Sequence, residues 1–288
     1  MMSKSFISEG ALMDFFKKLI EILTLKMDEP GNYGWFHLLF IGLLIIACLG
    51  VIFLANHHHH EKTLKLVLLI CGSIMIIFEI YKQLVFTFRL NGNQLIVDYQ
   101  WYAFPFQLCS TPMYIMIIAG LWKPGKARDA LLGYLALFGL FGGLCVYVFP
   151  NDVFVSEIGI DIQTMIHHGI QIVVGVFLLA YYRRSYNRSF WLGSFAIFAI
   201  VFSIALTLDF VVPYFINETF NMFYISQQYG CTLPVLSAIY PAVPYVVFLF
   251  IYGLGFCLAA SVIYWLSFSI NLLCKKIYQD CLKLQVNH

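Results

Sequence analysis

FHLLFIGLLIIACLGVIFLA, residues 36–55, is a twenty-residue run without a single Asp, Glu, Lys or Arg. As a helix it extends about 30 Å at 1.5 Å per residue, the thickness of a bilayer's hydrocarbon core. Lipid offers backbone amides no hydrogen bonds, so only helices or closed barrels cross it. A barrel strand shows about ten residues of alternating polarity, and this run has no alternation. It reads as a transmembrane helix.

Six further runs extend the pattern. The seven are Phe36–Ala55, Thr63–Phe88, Pro105–Trp122, Arg128–Phe149, Ile162–Tyr182, Phe190–Phe215 and Tyr240–Ile270. Composition agrees: of 288 residues 61% are hydrophobic, 18% aromatic and only 11% charged, against about 25% charged in an ordinary soluble domain. A soluble fold would lack a polar surface. The expected fold class is all-α, a polytopic membrane protein built as a seven-transmembrane-helix bundle with an N-terminal amphipathic interfacial helix. That segment, ALMDFFKKLIEILTLKM, spaces Leu12, Phe15, Phe16, Leu19, Ile22 and Leu23 at helical intervals opposite mixed charges, the pattern of a helix lying on a membrane surface. The expected division is 1–34 for the interfacial segment, 35–270 for the seven-helix domain and 271–288 for a cytoplasmic tail. No short signal-peptide pattern precedes the first long apolar run.

Charge sets the expected orientation. Lys62 and Lys65 fall in the first loop, Lys123, Lys126 and Arg128 in the third, Arg183, Arg184 and Arg188 in the fifth, and Lys275, Lys276 and Lys283 in the tail. The fourth and sixth loops carry none, and the second only Arg89. The positive-inside rule therefore places the odd loops and the C-terminus in the cytoplasm and the N-terminus outside. The expected location is a cell membrane, crossed several times. A net charge of +2 without a basic face gives no sign of nucleic-acid binding. Eight scattered cysteines include no CxxC pair, which argues against a disulfide framework or zinc ribbon. The run His57–His60 reads as a solvated loop, because alternate residues of a flexible run make a poor closed metal site. Neither metal nor cofactor is expected, and protein partners are unknown.

Orientation turns positions into depths. Cys109 lies about 6 Å inside the third span and His168 about 9 Å inside the fifth, both counted from the outer side. Glu79 and Lys82 fall in the outer half of the second span, three residues apart and able to pair on one face. Asp209 lies near the outer end of the sixth, and His37 opens the first. Ionisable groups inside lipid cost about 2.5–3.5 kcal/mol each, so they face protein-lined cavities and need partners. Bland roles compete with functional ones: Glu79 with Lys82 as a structural ion pair, Asp209 as a brace for the break before Pro213, and Cys48, Cys71, Cys145 and Cys257 as small core hydrophobes. His167 and His168 point about 100° apart, so only one can face a given partner.

A thiol and an imidazole in one layer permit nucleophilic chemistry. The thiolate is the reactive form, and imidazole takes its proton. Attack on an ester carbonyl gives an acyl-thioester, after which the histidine activates a second substrate. Gln107, or amides freed near Pro105 and Pro112, would steady the oxyanion. Zinc ligation by the same pair lacks a third ligand at a known spacing.

The segments FPFQLCSTPMY, GGLCVYVFP, QTMIHHGIQIVVGVFLLAY, NMFYIS and YPAVPYVVFLFIYGL occur in an order that resembles the YwaF-like bacterial integral membrane family. That family is similar to the eukaryotic transmembrane protein 164 group of lipid acyltransferases, and more remotely to androgen-induced membrane hydrolases of fatty-acid esters, where a threonine replaces the cysteine. The resemblance runs from Trp35 to about Leu266. It implies a lipid acyltransferase or acyl-ester hydrolase with Cys109 as nucleophile and His168 as base, a membrane lipid as substrate, and Asn221 at a late polar position. Gln107 stands where close relatives would carry a histidine.

Two other classes remain open. A small-molecule or proton transporter or binding protein would use Glu79, Lys82, Asp209 and His37 as a path, but paths cross the membrane and this layer occupies one half, and no internal repeat is visible. A scaffold or receptor would present the long sixth loop, residues 218–238, as a docking surface.

Overall fold

Helix α1, Ser3–Leu23, is followed by α2, Trp35–His57, and α3, Glu61–Val85. These and the elements below come from a computed structural model that describes residues 3–92, 94–150, 153–182, 188–216 and 218–286. Leu12, Phe15, Phe16 and Ile22 of α1 are exposed while Ile20 is buried, so one apolar stripe faces outward as an interfacial helix requires. The segment after α1 is tied down where Met27 N–H donates to the Ser156 carbonyl at 2.8 Å and the Tyr81 hydroxyl to the Leu23 carbonyl at 2.7 Å.

The second loop holds an element outside the all-α expectation. Strands β1, Phe88–Asn91, and β2, Gln94–Val97, pair antiparallel with Phe88 opposite Val97 and Asn91 opposite Gln94. The turn between them uses Gly92 at φ 56°, a left-handed conformation that costs glycine nothing. Arg89 crosses to Asp98 at 3.0 Å.

Helix α4, Thr111–Leu121, corrects the expected third span. Only eleven residues are helical, about 16 Å of rise. The preceding stretch is a short 3-10 turn, Trp101–Ala103, followed by irregular backbone through Ser110. Pro112 explains the late start, since proline lacks an N–H and fits the first turn of a helix, where no partner is required. Cys109 thus lies in a turn just before α4 and not on a helix. The described chain has six helices long and apolar enough to span a membrane, with α4 as a shorter apolar seventh.

Helices α5, Lys126–Tyr134, and α6, Leu140–Val148, form one continuous span through a π-helical turn at Leu135–Gly139. Helix α7, Ile158–Tyr181, is the central one, with Met165, Val174, Phe177 and Leu178 fully buried. Helix α8, Arg188–Val211, packs on α5 so closely that a Cβ at Gly133 would collide with the Phe190 carbonyl, and one at Gly193 with Ala130. Gly143 does the same work between α6 and α7, where a Cβ would stand 2.7 Å from the His168 carbonyl. Small residues at crossing points are how membrane helices approach, because lipid tails give them no hydrophobic drive to associate.

The described residues between 212 and 244 carry only short turns of helix, among them α9, Leu236–Ile239, before α10, Tyr245–Val286. Helix α10 continues past the expected end at Ile270 and through the supposed tail. In the loop ahead of it Phe220, Met222, Phe223 and Ile225 are at most 1% exposed, folded back into the bundle, while Glu218, Gln227, Gln228 and Val235 remain exposed. Arg128 also departs from its expected place in a solvated loop, being 2% exposed within α5. Arg183 and Arg184 lie outside the described residues.

Candidate functional site

Irregular backbone is stable at membrane depth only where protein satisfies its polar groups. Around Cys109 that requirement is met by side chains of α3, α4 and α7. His167 Nε2 hydrogen-bonds the Cys109 carbonyl at 2.9 Å, and Gln171 Nε2 donates to the same oxygen at 3.1 Å. The Thr111 hydroxyl lies 2.9 Å from the Leu108 carbonyl and 2.6 Å from the Tyr134 hydroxyl. Gln83 donates to the Ala103 carbonyl at 2.8 Å, and Tyr114 to that of Pro105 at 3.0 Å. His167 and Gln171, four residues apart, share one face of α7. That spacing is visible in the sequence, but the backbone carbonyl they serve is not.

The two imidazoles have opposite tautomers. A carbonyl only accepts, so His167 carries its proton on Nε2, facing Cys109. Its Nδ1 is buried without a partner among the described residues. His168 Nδ1 lies 2.8 Å from the Thr164 carbonyl, one turn back on its own helix, so Nδ1 holds the proton and Nε2 the lone pair. The two rings stand 5.8 Å apart, centre to centre. Among the described residues the Cys109 thiol makes no hydrogen bond to either ring, and the residue as a whole is half-buried. Ser110, beside it, has a buried hydroxyl without a partner among the described residues.

Glu79 and Lys82 do pair, at 2.8 Å, with both side chains largely buried. Gln83 adds a bond to Glu79 at 2.7 Å, and the Tyr99 hydroxyl donates to Gln83 at 2.9 Å. Burial, reinforced by Glu79, pushes the Tyr99 phenol up to about 12, so it remains a donor at any ordinary pH. A lateral groove of about 370 Å³, lined by Ile76, Ile80, Pro105, Met113 and Tyr114, reaches Glu79 and Gln83 from between α3 and α4.

The remaining polar residues form a second group. Gln107 is committed at both ends: its Nε2 donates to the Asn221 carbonyl at 2.8 Å and its Oε1 accepts the Phe223 N–H at 2.8 Å. Asp209 Oδ1 accepts the Met222 N–H at 2.6 Å. Asn221 accepts from Ser226 N–H and donates to the Gly230 carbonyl, at 2.9 and 2.8 Å. Together they fasten the inward-folded loop, which turns through Phe223 and Tyr224 at φ 55° and 56°. Tyr252 and Tyr245 of α10 cap its carbonyls at Phe223 and Ile225, at 2.9 and 2.7 Å. Cys231, in the same loop, has its thiol pushed up by burial, which leaves it unreactive. His37 belongs to neither group. It is fully buried, accepts the Tyr33 N–H at 3.2 Å and sits among the rings of Tyr33, Tyr147 and Phe154.

Gln107→Leu removes one donor and one acceptor from this loop at once, leaving the Phe223 N–H and Asn221 C=O without partners. At about 1–3 kcal/mol for each orphaned group, the expected loss is about 2–5 kcal/mol. Thermal unfolding of the detergent-purified protein measures it, and an unchanged midpoint would show that the bridge carries no stability.

His59 stacks on Tyr181 with ring centres 4.1 Å apart, and His57 on Phe53 at 4.0 Å. Among the described residues no group of three His, Cys, Asp or Glu is placed to hold a metal ion.

A helical bundle with several bilayer-length apolar spans and a buried polar layer around a non-helical turn defines a multi-pass membrane protein. The family model described as the TMEM164 family matches residues 32–268, and the chain belongs to that family. Neither the curated proteins nor the solved structures contain a match to it.

Proposed function

We propose that this protein is a membrane-embedded acyltransferase or acyl-ester hydrolase that acts on a membrane lipid, with Cys109 as nucleophile and His168 as base. The observation that carries the reading is a half-buried cysteine whose backbone carbonyl is held by His167, with the next residue of α7, His168, fixed through Nδ1 on a carbonyl. That arrangement leaves Nε2 of His168 free to take a proton, the orientation a nucleophile's base requires. The ester carbonyl enters from the lipid through the groove between α3 and α4. Nε2 receives the thiol proton as sulfur attacks the carbonyl carbon; the C–O bond then breaks, and the proton passes to the departing alkoxide. The acyl-thioester is resolved by a second hydroxyl, of water or an acceptor lipid, which Nε2 deprotonates as it attacks; the C–S bond then breaks and the proton returns from Nε2 to the departing sulfur. Gln107 is already bonded at both ends, so the oxyanion is met by the Ser110 hydroxyl and Lys82.

Closure below the layer favours this over transport. Met113, Met116, Ala119, Leu132, Leu135, Phe138 and Phe177 are each at most 1% exposed and supply no polar step toward the other end. Treatment with a haloacetamide-bearing lipid probe, followed by peptide mass spectrometry, is expected to modify Cys109 ahead of the exposed Cys274. Modification of Cys274 with Cys109 untouched would overturn the proposal.

A further inference from the structure

A second cleft, of about 390 Å³, opens between the end of α8 and the inward-folded loop, with Asp209, Phe210, Tyr214, Ser226, Gln227 and Tyr245 in its lining. Its volume falls in the range of small-molecule sites. Asp209 is 7% exposed, and Met222 uses only Oδ1; Oδ2 is buried without a partner among the described residues. None of the described ion pairs includes Asp209, and among the described residues no lysine, arginine or histidine lines the cleft. A carboxylate withdrawn from water needs either a counter-charge or a proton.

The walls indicate what kind. Phe210 and Tyr214 are 49% and 87% exposed, and aromatic faces attract cations that are weakly hydrated. Ser226 and Gln227 add neutral polar groups, so the only formal charge in the lining is negative. The cleft lies where the long apolar span of α8 ends.

We propose that this cleft binds an organic ammonium ion, a protonated primary amine or a quaternary ammonium, with Asp209 as counter-charge and the rings of Phe210 and Tyr214 as walls. The site stands apart from the thiol chemistry and does not depend on it. Its ligand is either the head group of an amine-bearing lipid or a free soluble amine, and the two sources share this chemistry.

The test uses the full chain in nanodiscs of phosphatidylglycerol, titrated calorimetrically with tetramethylammonium and with ethanolamine. Saturable binding of at least one is expected, weakened about tenfold or more by Asp209→Asn and by Tyr214→Ala. Asparagine keeps the acceptor for Met222 N–H and removes only the charge, and Tyr214 is too exposed for its loss to unfold the chain. Competition when phosphatidylethanolamine or phosphatidylcholine replaces part of the disc lipid identifies a head group as the ligand; undiminished binding identifies a free amine. Cys109→Ala is expected to bind as the parent does, which separates failure here from failure of the acyl-transfer reading. Absence of saturable binding, or binding by Asp209→Asn equal to the parent's, would overturn the proposal, leaving a proton as the neutralising partner of Asp209.

Discussion

Cys109→Ala and His168→Ala are each expected to abolish lipid turnover, a loss of at least a thousandfold, while shifting the unfolding midpoint little. The magnitude follows from removing a nucleophile or its base, groups that act as a unit. The small stability effect follows from the structure. His167 and Gln171 grip the backbone carbonyl of residue 109, which alanine retains, and the His168 bond is a local one within its own helix. His167→Leu is expected to do the opposite: it withdraws one partner from a buried carbonyl, at a cost of about 1–3 kcal/mol, and lowers stability and turnover together. Turnover by detergent-solubilised protein on a fluorescent phospholipid ester, measured beside thermal unfolding, separates the three. Full turnover by either of the first two variants would end the thiol mechanism.

Glu61→Leu is expected to be the most destabilising single change at the opposite end of the bundle. Arg128 is buried; its Nε donates to the Ala119 carbonyl at 2.9 Å, its Nη1 meets Glu61 at 2.5 Å, and its Nη2 lacks a partner among the described residues. Removing Glu61 strands the guanidinium. Stranding a fully buried charge costs about 3–5 kcal/mol, and the 47% exposure of the Glu61 side chain lets water offset part, leaving about 2–4 kcal/mol. The Lys65 contact to Glu61, at 3.8 Å between half-exposed groups, adds little. The double variant Glu61→Leu, Arg128→Met removes the charge with its partner and is expected to recover at least half of the loss. A double-mutant cycle by chemical denaturation decides; strict additivity of the two losses would show that the pair is not coupled.

Bilayer-length spans such as α2 and α7 are readable in the sequence because lipid imposes one rule, an uninterrupted apolar length. The third span breaks that rule. Pro105 reads as its entrance, yet the helix waits for Thr111 because the carbonyls before it find partners on Gln83 of α3, Tyr114 of α4 itself, and His167 and Gln171 of α7. The inward-folded loop is illegible for a similar reason: its polar composition suits a solvated loop until Gln107, Tyr245 and Tyr252, 20 or more residues distant, satisfy its backbone. Depth arithmetic brings α7 to the level of Cys109. It cannot say which imidazole faces the turn, because depth fixes a layer and leaves rotation about the axis free. Asp209 and Asn221 stand out in the sequence as polar residues in an apolar region, and the structure gives both a task in holding the loop.

The Gln107 bridge spans 114 and 116 residues of chain, and the loop it holds is also held by tyrosines on the final helix. During synthesis, then, the six spans ahead of α10 can enter the bilayer while the loop that Gln107 holds is still unfastened. Closure waits until α10 leaves the ribosome, a long-range step of the kind that slows assembly. A nascent or truncated chain ending before Tyr245 would carry both Cys109 and His168 without the enclosure around them, so that completion of translation is itself the event that matures the site.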